Sequence, residues 1–188
     1  VAIQTEPVGS LLVVTGPPGA GKSTVARLVA SRARRSVVVE GDAFFAFLAT
    51  DAIEPWRPES DEQNAVVTQA AGAAAGAFAL GGFTTVFDGV LGPWFLPTFA
   101  AASGLDRFDY AVLLPPVDVC VERVLTRLGH GFRDEDATRR MHAEFSTSTV
   151  AERHVFRALP SDPGTAAAVV TDARDAGRLT YTATGNVP

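Results

Sequence analysis

The chain has 188 residues, 47% of them apolar, and a formal net charge of −5 at pH 7. That length suits one ordinary domain with a sizeable core, and that composition excludes a disordered polymer. The acidic balance, with a sequence pI of about 5.2, speaks against a broad nucleic-acid or anionic-membrane surface. The single cysteine, Cys120, rules out an internal disulfide and fits a reducing compartment.

Val1 to Ser10 lacks the basic stretch and apolar run of a signal peptide, so the expected location is cytoplasmic. Leu11 to Thr15 (LLVVT) predicts a buried parallel strand running into a Gly-rich turn. From Lys22 to Arg32, Val25, Leu28 and Val29 share one helical face. Ser36 to Glu40 predicts the second strand; Gly41-Asp42 punctuates it, and Ala43 to Leu48 begins another helix. Asp51 to Asn64 is polar, contains Pro55 and Pro58, and reads as a loop carrying Trp56 and Arg57.

Gln63 to Leu80 predicts an Ala-rich helix stopped by Gly81-Gly82. Its stretch from Ala70 to Leu80 is too short and too weakly apolar for a membrane span. Thr84 to Phe87 is the third expected strand, ending in Asp88-Gly89, and Trp94 to Ala102 the next helix. Tyr110 to Leu114 predicts the fourth strand, followed by a helix from Asp118 to Arg127 that Gly129-His130-Gly131 breaks. Asp134 to Arg157 predicts a further helix with Asp134 as N-cap, and Ala167 to Thr171 (AAVVT) the fifth strand. The tail beyond Ala183 has no pattern and is expected to be loose. Strands alternating with helices imply a parallel sheet covered on both faces.

The most specific signal is Gly16-Pro17-Pro18-Gly19-Ala20-Gly21-Lys22-Ser23-Thr24, which fits G-x-x-x-x-G-K-[ST] between a predicted strand and a predicted helix. Glycines let backbone N–H groups turn inward around phosphates, and the helix N-terminus adds its dipole. In this motif the lysine, Lys22, reaches the β- and γ-phosphates, and the hydroxyl of Ser23 coordinates Mg²⁺. The expected ligand is therefore ATP with Mg²⁺. Of the 16 lysine-plus-arginine positions only Lys22 is lysine. An Asn/Thr-Lys-x-Asp guanine-reading motif is thus absent, which excludes an ordinary GTPase. An AAA-type motor ATPase would need more chain and a helical lid domain.

With these residues the chain resembles the adenylate-kinase-like branch of P-loop kinases, and especially small-molecule phosphotransferases similar to chloramphenicol phosphotransferase. Gluconate, shikimate and adenylylsulfate kinases are more distant relatives. The likeness spans Leu11 to about Thr171, and Arg127-Leu128-Gly129-His130-Gly131-Phe132-Arg133-Asp134 resembles a lid segment of that group. It implies a three-layer α/β sandwich. This would be a five-stranded parallel sheet in the order 2-3-1-4-5 with helices on both faces and a short helical lid. The expected organisation is a single kinase domain over 1–188, with the lid at about 128–141 and the loose tail at about 184–188.

The resemblance also implies roles. An Asp at the place of Asp42 lies beside the acceptor hydroxyl and can take its proton; the plainer alternative is a helix N-cap. Glu40, two residues earlier, is the weaker candidate for that base. Asp88 stands where P-loop proteins keep a second acidic residue that supports Mg²⁺ or contacts substrate; an ordinary Asp-Gly turn is the alternative. Arg127 and Arg133, and less strongly Arg123, are candidates to close over the nucleotide and stabilise the transferring phosphoryl group, the alternative being a solvated basic face. Arg139 and Arg140 read as solvated surface, and His130 as an ordinary loop histidine. His142 and His154 are spaced wrongly for a helical metal pair.

Acceptor contacts are expected from Trp56 and Arg57, together with Asp42 and Asp88; for Phe44, Phe45 and Phe95 a place in the core is the plainer reading. The leading expectation is a kinase that phosphorylates a hydroxyl of a small molecule, either an antibiotic or a metabolite. The alternatives are an ATPase switch without a small-molecule acceptor and, against the charge, a polynucleotide-end kinase. Neither a nucleic-acid nor a membrane partner is expected, and the oligomeric state is left between monomer and homodimer.

Overall fold

The computed structural model describes residues 9–126 and 132–183. Its elements in chain order are β1 (Ser10–Thr15), α1 (Lys22–Ala30), β2 (Ser36–Glu40), α2 (Gly41–Phe45), α3 (Asp61–Leu80), β3 (Thr84–Asp88) and α4 (Leu96–Ser103). There follow β4 (Arg107–Leu113), α5 (Val117–Thr126), α6 (Glu135–Thr147), β5 (Val155–Phe156), α7 (Pro163–Asp175) and β6 (Thr180–Thr182). The sheet runs β2-β3-β1-β4-β5, the expected 2-3-1-4-5 order. These neighbours all pair in parallel, and β6 adds an antiparallel partner along the first half of β4.

Period-two alternation in β1 builds both faces of the molecule. Leu11 and Val13 join the core under α3 and α4, with Phe87, Phe99 and Tyr110. Leu12 and Val14 join the core under α1 and α7, with Val25, Val29, Ala167 and Val170. The Ala and Gly content of α3 is explained by its neighbour. A Cβ at Gly76 would overlap the Ser103 carbonyl oxygen of α4, so only a bare backbone allows so close a crossing.

The chain passes from β3 to β4 across the central strand β1. That makes the carboxyl end of β1 the point where the strand order reverses, where α/β sheets open a crevice. In the parallel register Val14 and Glu40 both stand opposite Asp88, so three strand ends meet at one level.

Three expectations need correction. Ala167 to Thr171 is not a strand but the middle of α7. Asp162 caps that helix by accepting from the Thr165 N–H at 2.7 Å, Pro163 opens it, and the buried Ala166, Ala167, Val170 and Ala173 follow helical spacing. The fifth strand is instead the two-residue Val155–Phe156, which pairs with Val112 and Leu113. The helix expected from Asp134 to Arg157 ends at Thr147; its start is as read, with the Asp134 carboxylate accepting from the Ala137 N–H at 2.8 Å. The Ala43 to Leu48 helix is a single turn at Gly41–Phe45. Asp42 lies inside it, so the N-cap alternative for Asp42 is not realised. Among the described residues no helix is long and apolar enough to cross a membrane.

Candidate active site

A cleft of about 1260 Å³ opens over the carboxyl ends of β1, β2 and β3. One half is the phosphate loop. Gly16, at φ 140°, and Gly19, at φ 78°, hold conformations that side chains rarely adopt, and a Cβ at either would overlap a backbone carbonyl, of Leu113 or Cys120. The loop thus follows directly from β1 and rests on the chain at β4 and α5. Lys22 opens α1, and its Nζ donates to the Pro17 carbonyl at 3.0 Å, within the loop that would hold the phosphates. Ser23 and Thr24 follow it into the cleft.

Asp88 closes this half from β3. It is 7% exposed. Burial pushes its carboxyl above the usual aspartate range; a hydrogen bond with the Ser23 side chain and the charge of Lys22 oppose that, while Asp42 and Glu40 add to it. Ser23 and Asp88 are thus neighbours, as a shared magnesium site requires, and the excess negative charge around Asp88 suits a cation. Among the described residues no set of three acidic, His or Cys side chains gathers into a metal cage. A divalent ion would therefore rely on Ser23, Asp88 and the phosphates it accompanies.

Asp42 is exposed in the first turn of α2 and lines the same cleft. Glu40 lines it too, but its carboxylate is engaged by Arg27 at 2.8 Å. The two candidate bases therefore differ in availability, and Asp42 is the one without a cation paired to it among the described ion pairs.

The other half of the cleft is built by side chains from distant segments. Gln63 holds the loop before α3 by both main-chain polar groups of one residue, donating to the Ile53 carbonyl at 2.7 Å and accepting from the Ile53 N–H at 2.8 Å. Asn64 donates to the Pro55 carbonyl and to Ser60 Oγ, each at 2.8 Å. This anchoring sets Trp56 and Arg57 over the cleft, with Arg57 paired to Glu54 at 2.6 Å. The loop after β3 is fixed as firmly. The Leu91 carbonyl accepts from Tyr110 Oη at 2.8 Å and from Thr15 Oγ1 at 3.1 Å, and the Leu91 N–H donates back to Thr15 at 2.8 Å. It carries Trp94 and Phe95 into the wall, where Trp94 packs on Phe145 with ring centroids 5.4 Å apart. From the opposite side Phe132 meets Trp56 edge-on at 5.0 Å, and Arg140, on α6, donates to the Trp56 carbonyl at 3.4 Å.

Two arginines line the cleft beyond what their sequence positions indicated. Arg123 was the weakest of the lid candidates, yet it lines the cleft and donates to the Gly19 carbonyl at 3.3 Å, lying along the phosphate loop. Arg140 is exposed, as read from the sequence, and also lines the cleft, as do Met141 beside it and Glu144 one helical turn on. Arg139 is as expected at the surface, bridging Asp118 and Glu135. Arg133 is exposed just before the cap and is not part of the described cleft wall. Arg127 and His130, with the centre of the expected lid, lie outside the described residues, as does the tail at 184–188. His142 meets the Pro115 carbonyl at 2.8 Å, and buried His154 the Tyr110 carbonyl at 2.9 Å. Phe44 packs against the core, as the plainer reading of it held.

The far end of the cleft also carries an unsatisfied group. Both N–H donors of Asn64 are used, but its Oδ1 is buried with no partner among the described residues. Such a group costs about 1–3 kcal/mol when left unpaired. Asp61 and Glu144 stand nearby; burial holds the Glu144 carboxyl above its usual range, Arg140 opposes this and Asp61 adds to it.

Solved structures share this architecture. An unliganded sugar kinase from Janibacter sp. HTCC2649 aligns at 20% identity with a TM-score of 0.68, covering 89% of this chain and 95% of that one. An APS kinase from Mycobacterium tuberculosis, solved with AMPPNP and APS, aligns at 20% identity with a TM-score of 0.66, covering 90% and 99%. The tunicamycin resistance protein of Deinococcus radiodurans aligns at 16% identity with a TM-score of 0.63, covering 87% and 94%. At these identities the likeness is one of fold. No curated protein matches the chain. A family model described as AAA domain matches residues 11–150, and the chain belongs to that family of P-loop, kinase-like proteins.

Proposed function

We propose that the protein is an ATP-dependent phosphotransferase that moves the γ-phosphate of ATP to a hydroxyl of a small molecule. The observation that carries the reading is a single cleft in which the phosphate loop, Asp88 and the exposed carboxylate of Asp42 face an aromatic-walled cavity. An ATPase switch needs the first half of that cleft and has no use for the second. The solved sugar and APS kinases with this fold support the same reading, as does the tunicamycin resistance protein for an antibiotic acceptor.

In this reading the backbone of Gly16 to Thr24 cradles the phosphates, and Lys22 leaves the Pro17 carbonyl to pair with the β- and γ-oxygens. Ser23 and Asp88 would hold magnesium, which when bound offsets phosphate charge. Asp42 takes the proton from the acceptor hydroxyl as its oxygen bonds to the γ-phosphorus; the bridging oxygen leaves with ADP. Arg123, which lies along the phosphate loop, stabilises the transferring group, together with Arg127 at the start of the lid and Arg133 within it, at about 128–141. The aromatic wall excludes water, so that transfer outruns hydrolysis. The branch is that of adenylate-kinase-like small-molecule kinases, the domain spans 1–188, and the setting is cytoplasmic.

ATP turnover with and without a pool of hydroxylated compounds tests the proposal. Turnover stimulated by the pool, and abolished together with its stimulation in Asp42→Ala, supports it. A pool without effect, with basal hydrolysis unchanged in Asp42→Ala, refutes it.

A further inference from the structure

Thr15 ends β1 as the last residue before the phosphate loop, and it is fully buried. Valine has nearly the same shape and would fill that place without a hydroxyl to desolvate, as Val13 and Val14 do beside it. The hydroxyl is used instead on a residue far along the chain. Thr15 Oγ1 donates to the Leu91 carbonyl at 3.1 Å and accepts from the Leu91 N–H at 2.8 Å. Tyr110 repeats the pattern from β4: it is buried, and its Oη donates to the same carbonyl at 2.8 Å. Two buried hydroxyls from paired strands thus converge on one loop residue.

The loop depends on this anchor more than Asp88 does. Asp88 is held on both sides by strand pairing, opposite Val14 and Glu40, and the next N–H, of Gly89, donates to the Val14 carbonyl at 3.4 Å. From Val90 to Trp94, by contrast, Leu91 is the only residue with a hydrogen bond to another element among the described residues. Yet this stretch supplies Val90, Leu91 and Trp94 to the cleft, with Phe95 following. Val90 and Trp94 are 40% and 44% exposed, so packing holds them only in part.

We infer that Thr15, supported by Tyr110, is a positioning residue. Its bonds to Leu91 hold the wall after β3 beside the phosphate loop, and so set whether the γ-phosphoryl group goes to the bound acceptor or to water. The inference rests on the phosphotransferase reading. In either course an oxygen bonds to the γ-phosphorus, its proton passes to Asp42, and the bond to the bridging oxygen of ADP breaks. The products are ADP with a phosphate ester, or ADP with inorganic phosphate. Both nucleophiles use the same phosphate half. Only the acceptor needs the wall held in place, and only water gains from a wall that moves.

The test follows γ-labelled ATP by mass spectrometry with a pool of ring-bearing alcohols: benzyl alcohols, nucleosides and hydroxylated macrocycles. In Thr15→Val the ratio of phosphate ester to inorganic phosphate should fall about tenfold, while AMPPNP affinity stays within about twofold. Thr15→Ser keeps the hydroxyl and should hold the ratio within about twofold of the wild type. Tyr110→Phe leaves the Thr15 bonds in place and should lower the ratio about threefold; it carries the test if Thr15→Val fails to fold. A purely structural Thr15 would change product yield and AMPPNP affinity together and leave the ratio intact. Hydrogen exchange read by mass spectrometry needs no transfer. The peptide over 89–95 should exchange about tenfold faster in Thr15→Val, and the peptide over 16–24 at the wild-type rate. Ester from the wild type with an unchanged ratio in Thr15→Val and Tyr110→Phe, or a ratio lost as fully in Thr15→Ser, overturns the inference alone. No ester from the wild type overturns the phosphotransferase reading, and the exchange comparison then decides whether Thr15 holds the wall.

Discussion

The two halves of the cleft are made differently. The phosphate half is built on one contiguous loop whose working groups are mostly main chain, set by positive-φ glycines and by close contact with β4 and α5, with Asp88 added from β3. The acceptor half is a set of side chains from the loop before α3, the loop after β3, and α6, each held by its own hydrogen bonds. A backbone site admits one ligand chemistry and little variation. A side-chain site can be rebuilt residue by residue around a new acceptor while the phosphate half stays intact.

Variants of each half should separate on that basis. Lys22→Ala should be the most damaging, lowering kcat/KM by about a thousandfold, since it removes a charge aimed at the transferring group. Steady-state kinetics with saturating acceptor would show this, and a loss under tenfold would mean the loop does not position the phosphates. Asp42→Asn should lower kcat by about a hundredfold while ATP affinity holds. Equal losses in both would place Asp42 in the phosphate half instead. Arg123→Ala should cost about tenfold, shared between ATP affinity and kcat, because Arg123 already touches the loop. Arg133→Ala should lower kcat more than ATP affinity, its charge being needed in the transition state. If Arg133→Ala changes neither, the lid role rests on other residues.

The smallest effect has the opposite sign. The buried carboxyl of Asp88 is held above the usual aspartate range, so at neutral pH its ionised form is less favourable in the fold than in the unfolded chain. That cost is absent below the unfolded aspartate pKa and grows as pH rises through it. Asp88→Asn should therefore stabilise the ligand-free protein by about 1 kcal/mol at neutral pH. The gain should fade on acidification, as measured by denaturant unfolding. Magnesium-dependent activity should fall in the same variant.

What could be read from the sequence follows the same division. The position of the phosphate loop and of Asp88 at strand ends was legible from local patterns, a motif after an apolar run and an acid closing a strand, whereas the strand order followed from the family resemblance and not from any local pattern. The acceptor half was only partly legible. Trp56 was expected there, but Arg140 and Asn64 reach it through tertiary packing that spacing does not reveal. The fifth strand was misread because AAVVT is apolar at both periods, and the deciding signal, Asp162-Pro163 opening a helix, lies a few residues earlier. Val155–Phe156 is too short to show any period at all.

The central claim is that the two halves act together. It is tested most directly by following the γ-phosphoryl group of isotopically labelled ATP by mass spectrometry, with a pool of ring-bearing alcohols as acceptors. Label is expected in an organic phosphate ester, and is expected to be lost in Asp42→Ala. Label found only in inorganic phosphate, at the same rate with and without the pool and with and without Asp42, would contradict it.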